Sequence, residues 1–330
     1  MMKLAVLGDG GWGTALAMVS ARNGHEVTVW GPFADQVHSI RSAGENVHFL
    51  PGVKVPASIG WTSDMKEAVT GADGVVLVVP SRFYRSTVEQ LKACLAEDQR
   101  VVSATKGLDE TSYSSMSSVA SSVLGRDVAV LSGPSHAEEV ARGIPCAVAC
   151  AAASVAEAEW VQEVFMQENF RVYTSSDVKG VELGGALKNV VAIAAGISDG
   201  LGFGDNTKAA LMTRGLAEMT RLGVALGAQV ETFSGLSGLG DLMVTCMSRH
   251  SRNRGVGERL GKGERLEEIM EGMQMVAEGV WNCRAACSLG ASVGIDLPIA
   301  EQVQAVVHEG VDAREAMIAL MARAPRAEAE

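Results

Sequence analysis

The chain has 330 residues, 47% of them hydrophobic and 20% charged, which is enough to bury one large core or two of ordinary size, and two domains are expected. A formal net charge of −11 excludes the strongly basic surface that a nucleic-acid partner selects, so any bound anion must be held by a local cluster of cations. The sequence shows no basic and apolar leader, and no apolar run approaches the roughly 20 residues of a bilayer span, so a cytoplasmic protein with no membrane span is expected. Of Cys94, Cys146, Cys150, Cys246, Cys283 and Cys287, the i,i+4 pairs Cys146/Cys150 and Cys283/Cys287 have no His ligands close by in the sequence, and all six read as reduced, mostly buried thiols, with no metal site.

In chain order, short β-branched runs alternate with helical stretches up to about residue 178: LAVLG, EVTVW, GVVLVVP, RVVSATKG, DVAVLSGP, PCAVAC and FRVYTS. Nearly continuous apolar strands in such alternation predict a parallel sheet covered on both faces, a Rossmann-type doubly wound domain over residues 1–178. From residue 179 to 330 the strand signal is gone and long helical patterns take over. Leu211, Gly215, Met219, Leu222 and Leu226 keep a 3.6-residue period, which predicts an all-helical second domain. Only the tail RAPRAEAE reads as disordered.

A glycine cluster, G-D-G-G-W-G, spans Gly8 to Gly13 at the end of the first strand. A bare G-x-G-x-x-G is weak evidence, but here a strand precedes it, a helix through Ala15, Leu16, Ala17 and Val19 follows, and a second strand comes within about 30 residues. In that setting Gly8 permits the tight turn, Gly10 lets backbone approach a pyrophosphate, Gly13 lets the helix pack on the strand, and the helix N-terminus offers free N–H groups to phosphate. One expected piece is absent. The second strand ends in Gly31 and Pro32, with Asp35 too late to serve as the acidic residue that bonds a ribose 2′-hydroxyl, and no Arg stands there to select a 2′-phosphate.

Further polar turns follow the later strands: Ser81, Lys106 and Gly133-Pro134-Ser135. Ser81 reads as ordinary turn chemistry, and Lys106 as either a solvated lysine or an anion ligand. Lys188 lies in GVELGGALKNVVAIAAG, where Gly184, Gly185, Val191 and Ala192, three and four positions away, offer it no ion pair. Removal of solvent disfavours its charged form and suits it to proton transfer, so it is the candidate catalytic residue. Asn189 beside it is open to a core or a substrate role. Asp241 reads either as a helix cap or as a functional acid, with Thr245 one turn later on the same face. Arg249, Arg252 and Arg254 concentrate positive charge in SRHSRNRG, the best phosphate anchor in the second half, although a solvated loop has similar weight on spacing alone.

Taken together, GDGGWGTALA, FLPGV, ATKGL, SGPSHAEEV, GVELGGALKNVVAIAAGISDGLGFGDN, GLSGLGDLMVTC and SRNRGVGERLGKG resemble, in order and over essentially the whole chain, the bacterial NAD(P)-dependent glycerol-3-phosphate dehydrogenases. The resemblance implies reversible hydride transfer between NAD or NADP and the glycerol 3-phosphate/dihydroxyacetone phosphate pair, supplying phospholipid synthesis, and a homodimer. It implies Lys188 as proton donor and acceptor, and substrate contacts at Lys106, Gly133, Ser135, Lys188, Asp241, Ser251, Arg252 and Asn253. It further implies cofactor contacts at Gly11, Trp12, Pro32, Lys106, Ala137, Arg252, Val276 and Glu278, beside the glycines Gly8, Gly10 and Gly13. The family more often has Ala at Asp9, Ser at Gly11 and Thr-Phe at Ser135-His136, so backbone N–H groups must replace the hydroxyl lost at Gly11. Two rival readings are a β-hydroxyacid or sugar-phosphate dehydrogenase of the same plan and a nicotinamide sensor without turnover.

Overall fold

In the computed structural model, which describes residues 1–273 and 276–323, all the strands lie before Val178. The order is β1 (Lys3–Leu7), α1 (Gly11–Arg22), β2 (Glu26–Trp30), α2 (Ala34–Ala43), β3 (Gly60–Thr62), α3 (Met65–Val69), β4 (Gly74–Leu77) and α4 (Ser81–Lys92). There follow β5 (Arg100–Ser103), α5 (Met116–Leu124), β6 (Ala129–Ser132), α6 (Ala137–Ala141), β7 (Cys146–Ala151), α7 (Val155–Phe165) and β8 (Phe170–Ser175). The strands form one sheet in the order β3-β2-β1-β4-β5-β6-β7-β8. Pairing is parallel from β3 to β6, but β7 runs antiparallel to β6 and carries β8 parallel to itself. The sheet is therefore mixed where an all-parallel one was expected, and β3 is a strand the apolar pattern did not reveal. Three residues are too few to show alternation, and an apolar run such as Cys146–Ala151 carries no sign of its direction.

β1 pairs with β2 on one side, Leu7 opposite Trp30, and with β4 on the other, Leu7 opposite Leu77. Chain order reverses at β1, so the crevice beyond its carboxyl end is the switch point where ligands of doubly wound sheets gather. The turn there is set by glycine. Gly8 has φ +134°, and a side chain on Gly13 would overlap the Gly8 carbonyl oxygen, so helix and strand touch through backbone.

The second half comprises α8 (Val178–Gly200), α9 (Gly204–Ala225), α10 (Val230–Ser234), a π-helical turn (Leu236–Gly240), α11 (Asp241–Met247) and α12 (Arg252–Gly261). After these come α13 (Leu266–Glu271), α14 (Gly279–Val293), α15 (Pro298–Glu309) and α16 (Ala313–Met321). All but the first residue of the tail expected to be disordered lies outside the described residues. α8 corrects the reading of apolar runs: it is long and apolar enough to cross a membrane, yet its residues from Gly180 to Ser198 are all buried inside the fold, so it is the core of the helical half. Asp177 caps it, accepting from Gly180 N at 2.9 Å. α12 crosses α8 in backbone contact, because side chains on Gly196 or Gly257 would overlap the carbonyls of Arg254 or Ile193. That crossing places the start of α12 beside the middle of α8.

Glu218 of α9 is buried and receives Ile299 N at 3.0 and 3.1 Å, capping α15 from outside. Burial pushes its carboxyl up to about 7, against the N–H bonds from α15 that favour the ionised form. The folded state then holds a proton that the unfolded chain has released, so stability falls as pH rises from the ordinary carboxyl range to about 7. Glu218→Gln should show a stability gain over the parent that grows across this window to roughly 3 kcal/mol, read by urea unfolding at pH 5 and pH 8. An equal difference at both pH values refutes the assignment.

Candidate active site

The site is built where the carboxyl edge of the sheet meets α8 and α11. Lys106 follows β5 and Gly133 follows β6, so both stand at that edge. Lys188 projects from the middle of α8. The two glycines before it clear the approach, since side chains there would crowd Ser237 O and Ser132 Oγ. Asp241 opens α11 directly after the π-helical turn. Lys188 Nζ donates to Asp241 Oδ1 at 2.6 Å and to Thr245 Oγ1 at 2.7 Å. Lys106 Nζ donates to the other carboxylate oxygen at 2.8 Å and to Gly133 O at 2.7 Å. Two ammonium groups thus share one carboxylate, which leaves the cluster with an excess positive charge inside an acidic chain.

This corrects the sequence reading of Lys188 as a lysine with no partner, and of the two readings of Lys106 the anion ligand is the one that the geometry supports. Lys188 has no partner in its own helix, but a tertiary one arrives from α11, 53 positions away. Desolvation still dominates: burial pushes the Lys188 ammonium down, Asp241 pulls it back and Lys106 opposes, leaving it near 8. Burial works against the charge on Asp241, but Lys106 and Lys188 together hold its carboxyl below the usual range. Of the two readings of Asp241, the clustered acid is the one that the geometry supports.

The remaining residues singled out in the sequence take the following places. Ser135 Oγ donates to Gly133 O at 2.9 Å, so Gly133 gathers Lys106 and Ser135 on one carbonyl. Ala137 opens α6 and faces Gly11 across the crevice. Glu278, from the segment before α14, reaches over to the sheet half: its carboxylate receives Ser81 N at 3.0 Å and the Ser81 hydroxyl, and lies against Gly107. Val276 is half-buried just before it, and Pro32 is exposed beyond β2. Ser251 caps α12, accepting from Arg254 N at 3.2 Å, and Arg252 is exposed in its first turn within the fields of Glu278 and Glu138.

Other predicted residues are bonded to protein groups. Asn253 is buried, donates to Asn189 Oδ1 at 2.9 Å and accepts from Gly279 N at 2.8 Å, tying α8, α12 and α14 together. Asn189 is buried and also donates to Gly185 O at 3.3 Å. Arg254 is tied to Asp199, Nε to Oδ2 at 2.7 Å, whereas Arg252 is exposed. Two contributors went unrecognised. Ser81 holds Glu278 in place of ordinary turn chemistry. His136 packs beside His250, ring centroids 5.8 Å apart, and burial together with the Lys188 and Lys106 charges pushes its imidazole below the usual range. No spacing rule links His136 to Lys188.

The glycine turn fits a dinucleotide. α1 has no side-chain cap and no acidic residue in its first turn, and open space surrounds Gly10 where a Cβ would stand. Asp9 Oδ2 and Trp12 Nε1, both within the glycine turn's own segment, are buried without a hydrogen-bond partner, as is His136 Nε2.

Sheet, glycine turn and lysine-carboxylate cluster together define a dinucleotide-dependent oxidoreductase on a Rossmann-type frame. Residues 3–158 match the family profile described as NAD-dependent glycerol-3-phosphate dehydrogenase N-terminus, and residues 177–318 the one described as its C-terminus. Among curated relatives, the glycerol-3-phosphate dehydrogenase (NAD(P)+) of Moorella thermoacetica is 51% identical over 97% of this chain and 96% of its own. That of Geobacillus kaustophilus is 48% identical over 99% and 96%. A crystal structure of glycerol-3-phosphate dehydrogenase from Coxiella burnetii superposes with a TM-score of 0.95 at 38% identity, covering 98% of this chain and 99% of that one. The chain belongs to the NAD-dependent glycerol-3-phosphate dehydrogenase family, and is an NAD(P)-dependent oxidoreductase. Neither the other hydroxyacid or sugar-phosphate dehydrogenases nor a non-catalytic sensor is favoured by these matches.

Proposed function

We propose that the chain interconverts dihydroxyacetone phosphate and sn-glycerol 3-phosphate in the cytoplasm, for phospholipid synthesis, with Lys188 as the group that gives and takes the proton at the substrate oxygen. The observation that carries this reading is the Lys188–Asp241–Lys106 cluster at the switch-point edge of the sheet. The bound dinucleotide supplies or accepts the hydride. Lys188 has two of its three N–H groups engaged among the described residues, so the third is available to a substrate oxygen. Asp241 fixes the direction of both ammonium groups. Lys106 and the positive excess favour the charge that develops on the substrate oxygen. Gly133 and Ser135 line the same pocket, while Ser251, Arg252 and Asn253 hold the ester phosphate at the start of α12.

In this reading residues 1–178 bind the dinucleotide through Gly8, Gly10, Gly11, Trp12, Gly13, Pro32 and Ala137. Residues 179–330 close the crevice from the other side, with Val276, Glu278 and Arg252 reaching the cofactor. A homodimer, implied by the family resemblance, belongs to the same proposal. The cysteines support a reducing compartment, for all six are free thiols.

The test is loss of NADH or NADPH absorbance on addition of dihydroxyacetone phosphate. Turnover is expected with the phosphorylated ketone and not with dihydroxyacetone itself, and equal turnover of both rejects the phosphate site. Arg252→Ala should raise KM for dihydroxyacetone phosphate about tenfold or more, the worth of charge-assisted hydrogen bonds, with kcat little changed. An unchanged KM counts against the role given to Arg252.

A further inference from the structure

β2 ends without the acidic residue that a dinucleotide-binding sheet commonly places against the adenosine ribose, for the segment after Trp30 reads Gly31-Pro32-Phe33-Ala34. A carboxylate stands there nonetheless, contributed by a different element. Asp9, between the first two glycines of the β1–α1 turn, leans across the carboxyl edge so that a side chain on Gly31 would overlap its carboxyl group. Gly31 and Asp9 thus require one another, since the acid lies in the space that only a glycine leaves.

Asp9 is 8% exposed, and its Oδ2 has no hydrogen-bond partner. A buried carboxylate with an unsatisfied oxygen is costly and has no structural return in the protein alone. Gly31 to His38 contains no lysine or arginine to neutralise it or to attract a second anion. Burial raises the Asp9 carboxyl, opposed only by its own backbone N–H, so no neighbouring cation acts on it.

We propose that Asp9 replaces the missing acid of β2, accepts a hydrogen bond from the adenosine ribose, and selects a dinucleotide with a free 2′-hydroxyl over one with a 2′-phosphate. The inference rests on the glycine turn holding the dinucleotide, and makes NAD the preferred cofactor. A 2′-hydroxyl can donate to the carboxylate, whereas a 2′-phosphate has no comparable donor and meets a like charge with no cation beside it.

The experiment is calorimetric titration of NADH and of NADPH into the parent protein, Asp9→Ala and Asp9→Asn, without substrate. The parent should bind NADH at least about tenfold more tightly than NADPH. Asp9→Ala should weaken NADH and strengthen NADPH, closing the ratio about tenfold. Asp9→Asn retains an acceptor without the charge, so it should keep most of the NADH affinity while gaining NADPH. It also serves as the second variant if Asp9→Ala does not fold. A parent that binds the two nucleotides equally, or variants that change both alike, overturns the proposal while leaving the dinucleotide site in place. A parent that binds neither nucleotide overturns the site as well.

Discussion

Lys188→Met should lower kcat for dihydroxyacetone phosphate reduction at least about a hundredfold, the lower end of what a positioned proton donor contributes, while NADH binds as in the parent. The fold should survive the change. Methionine fills the same buried path along α8, and Asp241 keeps Lys106 as its counter-charge at 2.8 Å. The loss is therefore one of chemistry and not of an unpaired carboxylate. Steady-state kinetics together with calorimetric titration of NADH separate the two effects. Full kcat with intact NADH binding would remove Lys188 from the mechanism.

Asp241→Asn should be damaging in a different way. The asparagine side chain retains a hydrogen-bonding oxygen but no charge, so Lys106 and Lys188 face one another across the crevice with nothing to offset their repulsion. Breaking a buried ion network by removing one partner commonly costs about 3–5 kcal/mol, and thermal unfolding should register a large part of that. The sign of the catalytic effect follows from what the carboxylate does to Lys188. Asp241 pulls its proton affinity up, and Lys106 and burial push it down, so without Asp241 the ammonium loses its proton at lower pH. The alkaline limb of the reductive rate profile should move down in pH, in addition to a fall in kcat. A profile with an unmoved limb would show that Asp241 does not set the state of Lys188.

How much of this was legible in the sequence depends on distance along the chain. The glycine turn was readable because strand, turn, helix and second strand are contiguous, and all four lie where local patterning placed them. Asp241 and Thr245 were readable as one face of a helix, and the structure has both beside Lys188. The pairing itself was not readable. Spacing rules reach four residues along a helix, whereas Asp241 is 53 positions from Lys188 and 135 from Lys106. Three-residue β3, the reversed β7 and the Ser81–Glu278 tie escaped for the same reason, since each is decided by what the sheet or the opposite half presents. Lys188 stood out from its small, apolar neighbours, and these same neighbours let α11 and β6 approach and desolvate it. The signal was sound, but the absence of a partner was inferred from too short a window.

The most direct test of the account is the pH dependence of kcat/KM in both directions on the parent protein. Reduction needs Lys188 protonated, so its rate should be level at neutral pH and fall tenfold per unit above a break near 8, while oxidation of glycerol 3-phosphate should rise through the same break. Profiles without a shared break, or with breaks near the ordinary lysine value above 10, would contradict the claim that a desolvated Lys188 carries the proton.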